Sequence, residues 1–132
     1  MEISRSEQLA KERTDLAATR TSLAAERTLM AWIRTALGMI SFGFTIYKFL
    51  HGLEEANAVH FRHQAGGRNL GVFLAALGTG SLIAGTVQYV QTMHTIGGPR
   101  RGLGLTFYIS GAVILLGLLV LVGILMRLGP FD

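Results

Sequence analysis

The sequence predicts an all-α membrane protein with three transmembrane helices, the first of which extends into a long cytoplasmic amphipathic helix. Two observations support this fold class. The first is composition: half of the 132 residues are hydrophobic and 15% are charged, and the apolar residues fall in three long blocks. Each block reaches or approaches the ~20 residues that a helix needs to cross a bilayer. The second observation is a seven-residue repeat in the N-terminal third of the chain.

This repeat predicts one long helix. The blocks LAKERTD, LAATRTS, LAAERTL and MAWIRTA fill residues 9–36. Seven residues fall roughly 20° from closing two helical turns, so each repeated position forms a nearly straight row. In a strand an odd step would alternate faces. We predict a helix from about Ser6 to Phe49, roughly 65 Å long at ~1.5 Å per residue. Its first half stands in water and its second half in lipid, because the hydrocarbon core is only ~30 Å thick.

Three rows of side chains follow the repeat. The leucine row is Leu9, Leu16, Leu23, Met30, Leu37 and Phe44; the alanine row is Ala10, Ala17, Ala24 and Ala31; the arginine row is Arg13, Arg20, Arg27 and Arg34. A narrow Leu/Ala stripe can pack against copies of itself, which predicts a helical oligomer. The alternative is an amphipathic helix lying on the membrane surface. We favour self-association because the repeat runs unbroken from water into lipid.

The chain divides into two regions. Residues 1–28 form the cytoplasmic amphipathic helix, which is continuous with the first span. Residues 29–132 form one membrane domain with spans at about 29–50, 70–94 and 103–128. In the second span Gly71, Gly78 and Gly85 repeat every seven residues. Small residues let helix backbones approach closely in lipid, so this row predicts a packing seam.

The distribution of charge predicts the orientation. Of the 12 Lys and Arg residues, eight lie in the N-terminal segment and the second loop. The positive-inside rule places these regions, and therefore the N-terminus, in the cytoplasm and the C-terminus outside. The net charge of +4 is not read as nucleic-acid binding, because the distribution of the charges is the informative feature.

Basic residues of the first helix are candidates for an anion site. A charge inside a span usually faces a partner, the bundle interior or water, although long basic side chains can also extend to the headgroups. Because they form a row, these residues together favour a role as the basic lining of a pore or binding site more strongly than any one of them does alone. The candidate anion-binding or pore-lining residues are Arg20, Arg27, Arg34 and Glu26, with a possible entrance at Arg13, Arg100 and Arg101.

Several classes of function lack support in the sequence. Cys is absent, which excludes disulfides, thiolate catalysis and Cys-based metal sites. No nucleophile–base pair or carboxylate dyad indicates an enzyme, and no cofactor is predicted. His51, His60 and His63 lie in the first predicted loop, at 51–69. They lack a matching set of acidic ligands, so we interpret them as polar loop residues and predict no metal site.

The segment from Leu23 to Phe49, LAAERTLMAWIRTALGMISFGFTIYKF, resembles a known family. This is the bacterial YidH-type membrane domain, domain of unknown function 202, which also forms the membrane part of the vacuolar transporter chaperone, a polyphosphate polymerase complex. The pattern L-A-x-E-R-T-x-x-x-W carries the resemblance. It implies a three-helix subunit of the bacterial inner membrane whose first spans surround a basic conduit, assigned to polyphosphate in the eukaryotic complex.

The resemblance also implies roles for particular residues. The basic residues of the family's first span correspond to Arg20 and Arg27, and Glu26 occupies the adjoining motif position, while Arg34 is typical of the bacterial branch. The sequence departs from the pattern at the end of the second span, where no basic residue lies near Tyr89. The chain carries no polymerase domain, so polyphosphate synthesis is not implied.

Two functional hypotheses follow. In the first, three to five copies form an Arg-lined conduit or binding site for anions, with phosphate or polyphosphate as the ligand, since rings of Arg select anions. In the second, the protein is a non-conducting scaffold or accessory subunit. Its Arg and Glu rows would then mediate helix association or bind anionic membrane lipids.

Overall fold

The computed structural model describes residues 2–56, 64–96 and 104–126, and within these ranges the chain is helical with no strand. The elements are α1 (Glu2–Glu55), α2 (Gln64–Thr95) and α3 (Leu105–Met126). All three are long and apolar enough to cross a membrane. The prediction of an all-α fold with three spanning helices is confirmed.

Helix α1 is continuous and longer than predicted. Its 54 residues extend about 81 Å at ~1.5 Å per residue. At its C-terminal end it continues through residues 51–55, which we had predicted as loop. Helix α2 likewise begins at Gln64, six residues before the predicted span. No proline interrupts these stretches, so nothing forces the helices to end earlier. Part of the predicted loop, including His60 and His63, lies outside the described residues.

Helices α1 and α2 are antiparallel and pack through glycine. A Cβ atom added to Gly43 would lie 2.7 Å from the backbone oxygen of Gly71, and one added to Gly71 would lie 2.8 Å from the backbone oxygen of Gly43. The two backbones therefore touch at this crossing. Further along the same face, Gly85 lies against the indole ring of Trp32. The packing seam predicted from the glycine repeat of α2 is confirmed.

The core follows alternating steps of three and four residues on two helices. These rows are Leu29, Ile33, Ala36, Ile40, Gly43 and Tyr47 on α1, and Gly71, Ala75, Gly78, Leu82, Gly85 and Tyr89 on α2. Helix α3 contributes buried positions seven residues apart: Ser110, Gly117 and Ile124. Such spacing places each row on one helix face. The bundle thus has one continuous core, with α2 against α1 and α3 against both.

The N-terminal part of α1 projects past the bundle. The antiparallel contacts of Gly43 with Gly71 and of Trp32 with Gly85 place Arg20 level with about the last turn of α2. Residues 2–19 therefore extend beyond α2 by roughly 27 Å at ~1.5 Å per residue. The side chains from Ser4 to Ala17 are all exposed. From Ser4 to Ala17, therefore, no side chain is buried against the described parts of α2 or α3.

Candidate functional site

The leucine row of α1 does not take part in the packing of one chain. Leu9, Leu23 and Leu37 are 51%, 49% and 41% exposed, respectively. Helix α2 instead packs on the face that carries Leu29 and Ala36. At ~100° per residue, the α2-facing positions lie roughly 100–160° from the arginine row. The repeated face seen in the sequence is therefore left open in the single chain.

The arginine row is exposed along its whole length. Arg13, Arg20, Arg27 and Arg34 are all exposed and follow one another at about 10.5 Å, since seven residues rise ~1.5 Å each. In the described part of the chain, the basic and acidic side chains within 4 Å of each other are those of His51 with Glu54 and Glu55, so none of these guanidinium groups is paired there. The row offers a line of positive charge that the described residues leave uncompensated.

Three of the predicted site residues line one groove. An open groove of about 470 Å³ lies between α1 and the start of α3, and Glu26, Arg27 and Arg34 contribute its charged groups. Leu23 and Met30 supply apolar surface, and the α3 residue Thr106 closes one side. The groove thus combines two guanidinium groups and one carboxylate with apolar walls.

The remaining predicted residues lie elsewhere. Arg20 is one repeat, and Arg13 two repeats, further toward the N-terminus, and neither belongs to the lining of the groove. Arg13 stands on the projecting part of α1 and Arg20 lies just at its base, and both are in line with Arg27. Arg100 and Arg101 are outside the described residues, so their predicted place at an entrance stays a prediction.

The hydroxyl group of the threonine that follows each arginine is hydrogen-bonded within its own helix. The hydroxyls of Thr21, Thr28 and Thr35 each donate a 3.0 Å hydrogen bond to the backbone carbonyl four residues earlier, and Thr14 does the same at 2.9 Å. A hydroxyl has one proton to donate. The guanidinium groups are therefore the main donors that this face of α1 can offer to an anion.

The Glu26 carboxylate points toward the start of α3. A Cβ atom added to Gly104 would lie 2.9 Å from Oε1 of Glu26 and 3.5 Å from the hydroxyl oxygen of Tyr89. Gly104 immediately precedes α3, and its carbonyl accepts a 2.8 Å hydrogen bond from the N–H of Phe107. A negative charge near a helix N-terminus is favourable because the helix dipole is positive there. Three helices thus meet at Glu26, Tyr89 and Gly104.

Tyr89 belongs to this region although it was not among the site residues predicted from the sequence. It is 5% exposed and belongs to the core with Leu29, Ala36 and Leu82. The signal was present in the sequence, since Tyr89 follows Gly85 by four residues and so continues the glycine seam of α2. Next to it, a second groove of about 210 Å³ runs between α1 and α2 and includes Thr28 and Gln88. Among the described residues, no charged side chain lines this second groove.

The described residues hold no metal-ligand cluster. Within residues 2–56, 64–96 and 104–126, no three His, Asp or Glu side chains are grouped to hold an ion. His51 lies on α1, where its ring stacks on Tyr47 and its Nε2 lies 3.3 Å from a carboxylate oxygen of Glu55. His60 and His63 fall outside the described ranges.

Comparison with known families gives a match over the core of the molecule. The model described as Domain of unknown function (DUF202) matches residues 20–95, more than half of the chain. The chain belongs to the DUF202 family. The DUF202 match includes the three arginines from Arg20 to Arg34, Glu26 and Tyr89, and ends before α3. With three helices able to span a membrane, this DUF202 chain is a multi-pass membrane protein.

No curated protein and no solved structure matches the chain. The family itself is described as of unknown function. A functional account of this DUF202 protein therefore rests on the chemistry of its own groove and helix faces.

Proposed function

We propose that this DUF202 protein assembles from about three to five copies in the bacterial inner membrane into an Arg-lined binding site or conduit for anions. The anion is phosphate or polyphosphate, the N-terminus is cytoplasmic and the C-terminus is outside. No catalytic step is part of the proposal. The observation that carries it is the exposed arginine row of α1, on the helix side opposite α2.

The order of rows around α1 supports a ring. At ~100° per residue, the arginine row lies roughly 40° from the leucine row and roughly 60° from the alanine row on its other side. In a ring of copies, the large side chains of one leucine row would pack on the small alanine row of the next copy. Such head-to-tail contacts close into cyclic assemblies. The arginine row between them would then face the shared axis.

The position of Arg34 supports an aqueous axis. Arg34 lies about 10.5 Å deeper along α1 than Arg27, within a helix that can span the membrane. A charged side chain at the centre of a bilayer costs about 2.5–3.5 kcal/mol on insertion scales. An axis that contains water and anions removes most of this cost. Symmetry would turn each arginine into a ring, and stacked rings of Arg favour anions.

A second candidate function has its own support. The groove beside Arg27 is open and partly apolar, since Leu23 and Met30 line it. An anionic lipid could place its phosphate on the guanidinium groups and its chains along these apolar walls. In that case the protein would be a non-conducting scaffold or accessory subunit held by lipid and helix contacts.

The decisive experiment measures anion binding and flux with matched variants. Polyphosphate binding to the purified protein and phosphate flux into protein-containing liposomes would be compared for the wild type, Arg27→Ala and Arg34→Ala. The control is Lys11→Ala, which removes the same charge from α1 outside the arginine row. A charge-assisted hydrogen bond contributes about 1.5–3 kcal/mol, so each arginine variant should weaken binding by roughly tenfold or more, while Lys11→Ala changes it little.

The salt dependence of anion binding and the size of the oligomer are the two controls for this experiment. Binding through exposed guanidinium groups should weaken as salt increases, because ions screen surface charge within about 10 Å at 0.1 M. The arginine variants should keep the wild-type oligomer size. A wild type that neither binds these anions nor gains stability from them would end the conduit hypothesis. If the wild type showed no anion binding and both Arg27→Ala and Arg34→Ala also dissociated into monomers, the scaffold hypothesis would be favoured.

A further inference from the structure

We propose that Glu26, Tyr89 and the backbone of Gly104 form a clasp that joins the three helices and sets the direction in which the arginine row points. In this inference Glu26 and Tyr89 are positioning residues, and Glu26 is not an anion ligand. The inference rests on the proposed function only for its anion-binding readout. Its structural content can be tested without any ligand.

The clasp brings together one group from each part of the bundle. Glu26 comes from α1 and Tyr89 from α2, and Gly104 immediately precedes α3. The separations of 2.9 Å and 3.5 Å, measured from a Cβ atom built on Gly104, show that both side chains close over this backbone. The backbone of Gly104 also lies within hydrogen-bonding reach of the Tyr89 hydroxyl. Any larger residue at this position would displace the carboxylate.

Burial holds the tyrosine side of the clasp in place. The ring of Tyr89 is packed in the core against Leu29 and Leu82, and the residue is only 5% exposed. Its hydroxyl cannot turn into open water without moving the ring out of this core. Tyr89 therefore holds a polar group at a fixed position beside both Glu26 of α1 and the start of α3.

The geometry of α1 transmits this attachment to the arginines. Glu26 and Arg27 are consecutive, so they lie ~100° apart around the helix. When Glu26 faces Gly104, Arg27 must lie one step further round, along the edge of the groove next to Thr106. Arg20 and Arg34 follow Arg27 at seven-residue steps. A rotation of α1 that broke the clasp would turn the whole arginine row.

A different role for Glu26 makes the opposite prediction. If its carboxylate only reduced the positive field of the groove, Glu26→Gln would strengthen polyanion binding by removing a repulsive charge. If Glu26 holds the clasp, Glu26→Gln should loosen the contact between α1 and α3. Tyr89→Phe separates the two ideas further, because it removes the hydroxyl without changing the charge. Tyr108→Phe is its matched control, since Tyr108 is 63% exposed on α3.

The experiment measures distances between helices with pairs of spin labels. Because the chain has no Cys, labels can be placed at introduced cysteines only. One pair, Asp15→Cys with Leu105→Cys, reports α1 against α3; a second, Asp15→Cys with Gln91→Cys, reports α1 against α2. Asp15 is exposed and lies outside the arginine, leucine and alanine rows. Dilution with unlabelled protein restricts the signal to distances within one copy. Thermal unfolding of each variant verifies that it is folded.

We expect Tyr89→Phe and Glu26→Gln to broaden both the α1–α3 and the α1–α2 distance distributions, because a rotation of α1 moves its label relative to both helices. Tyr108→Phe should change neither. Tyr89→Phe should also weaken polyphosphate binding by about fivefold, the effect of one net hydrogen bond. If the wild type binds no polyphosphate, the proposed function fails while the distances still decide the clasp.

Two results would overturn the inference. The first is a wild-type α1–α3 distribution in both Tyr89→Phe and Glu26→Gln. The second is tighter polyphosphate binding by Glu26→Gln with unchanged distances, which would assign to Glu26 the role of reducing the field. Both comparisons use the full-length chain.

Discussion

At the scale of single residues, glycine determines how closely α1 and α2 approach. Gly43 and Gly71 bring the two backbones into contact, and Gly85 accommodates the indole ring of Trp32. Helix association in membranes depends on such close packing, because lipid is as apolar as the helix surface. Gly80 of the same helix has no such role, since a Cβ atom added there would meet nothing within 4 Å.

This contrast gives a prediction with an internal control. Gly71→Ala should destabilise the protein by about 1–3 kcal/mol, the usual cost of overpacking, because the new methyl group meets the backbone oxygen of Gly43. Gly80→Ala should be neutral or stabilising by up to about 1 kcal/mol, since Ala favours helix over Gly. Thermal unfolding in detergent measures both. Equal transition temperatures for Gly71→Ala and Gly80→Ala would contradict the packing described here.

At the scale of the element, α1 has two apolar faces with different roles. One face, which includes Leu29 and Ile40, is buried by α2 and α3. The other carries the leucine row and is open in a single chain, both in the spanning part and in the projecting part. In the proposed orientation the projecting part stands in water, where an exposed apolar row marks an interaction surface. In the proposed ring, a neighbouring copy covers it.

The projecting part of α1 should therefore contribute to assembly and not to the fold of one copy. For the double variant Leu9→Gln with Leu16→Gln, we expect the thermal unfolding temperature of the bundle to change little. The oligomer should be weaker, so that it dissociates at protein concentrations at which the wild type is still assembled. Each buried Leu contributes roughly 1.5–3 kcal/mol. Light scattering during size-exclusion chromatography measures the particle mass.

The matched control for this prediction replaces Lys11 and Asp15 by Gln. These residues lie on the same projecting segment outside the leucine and alanine rows, and the double change leaves the net charge unaltered. The control should assemble as the wild type does. Equal weakening of both double variants would show that the leucine row has no special role.

The extent to which the sequence predicted these elements differs between helices. The seven-residue repeat predicted α1 as one continuous helix, and the glycine row of α2 predicted its contact face, because both patterns have the period of a helix. The sequence did not reveal which apolar face of α1 meets α2, since Leu23 and Leu29 are equally apolar. The place of Tyr89 and Gly104 beside Glu26 also depends on contacts between distant segments, which no local pattern encodes.

At the scale of the whole molecule, one copy leaves its most basic surface unused. In its core, α2 packs on α1 through small residues and α3 packs against one side of this pair. The arginine row of α1 and the leucine and alanine rows that flank it nevertheless remain exposed. A ring of copies would bury the flanking rows and enclose the arginines at once. In the proposed ring, therefore, the arginine face of α1 points toward an axis shared by several copies, and not toward lipid.

Cross-linking of adjacent positions tests this claim most directly. Met30→Cys with Ala31→Cys places one cysteine on the leucine row and one on the alanine row of a chain that has none of its own. A short thiol cross-linker applied to membranes should then join Met30→Cys of one copy to Ala31→Cys of the next and produce a ladder that ends at the ring size. Leu118→Cys with Leu119→Cys on the exposed face of α3 is the control and should stay monomeric. A monomeric product for the α1 pair, or a ladder for the α3 pair in its place, would contradict the account.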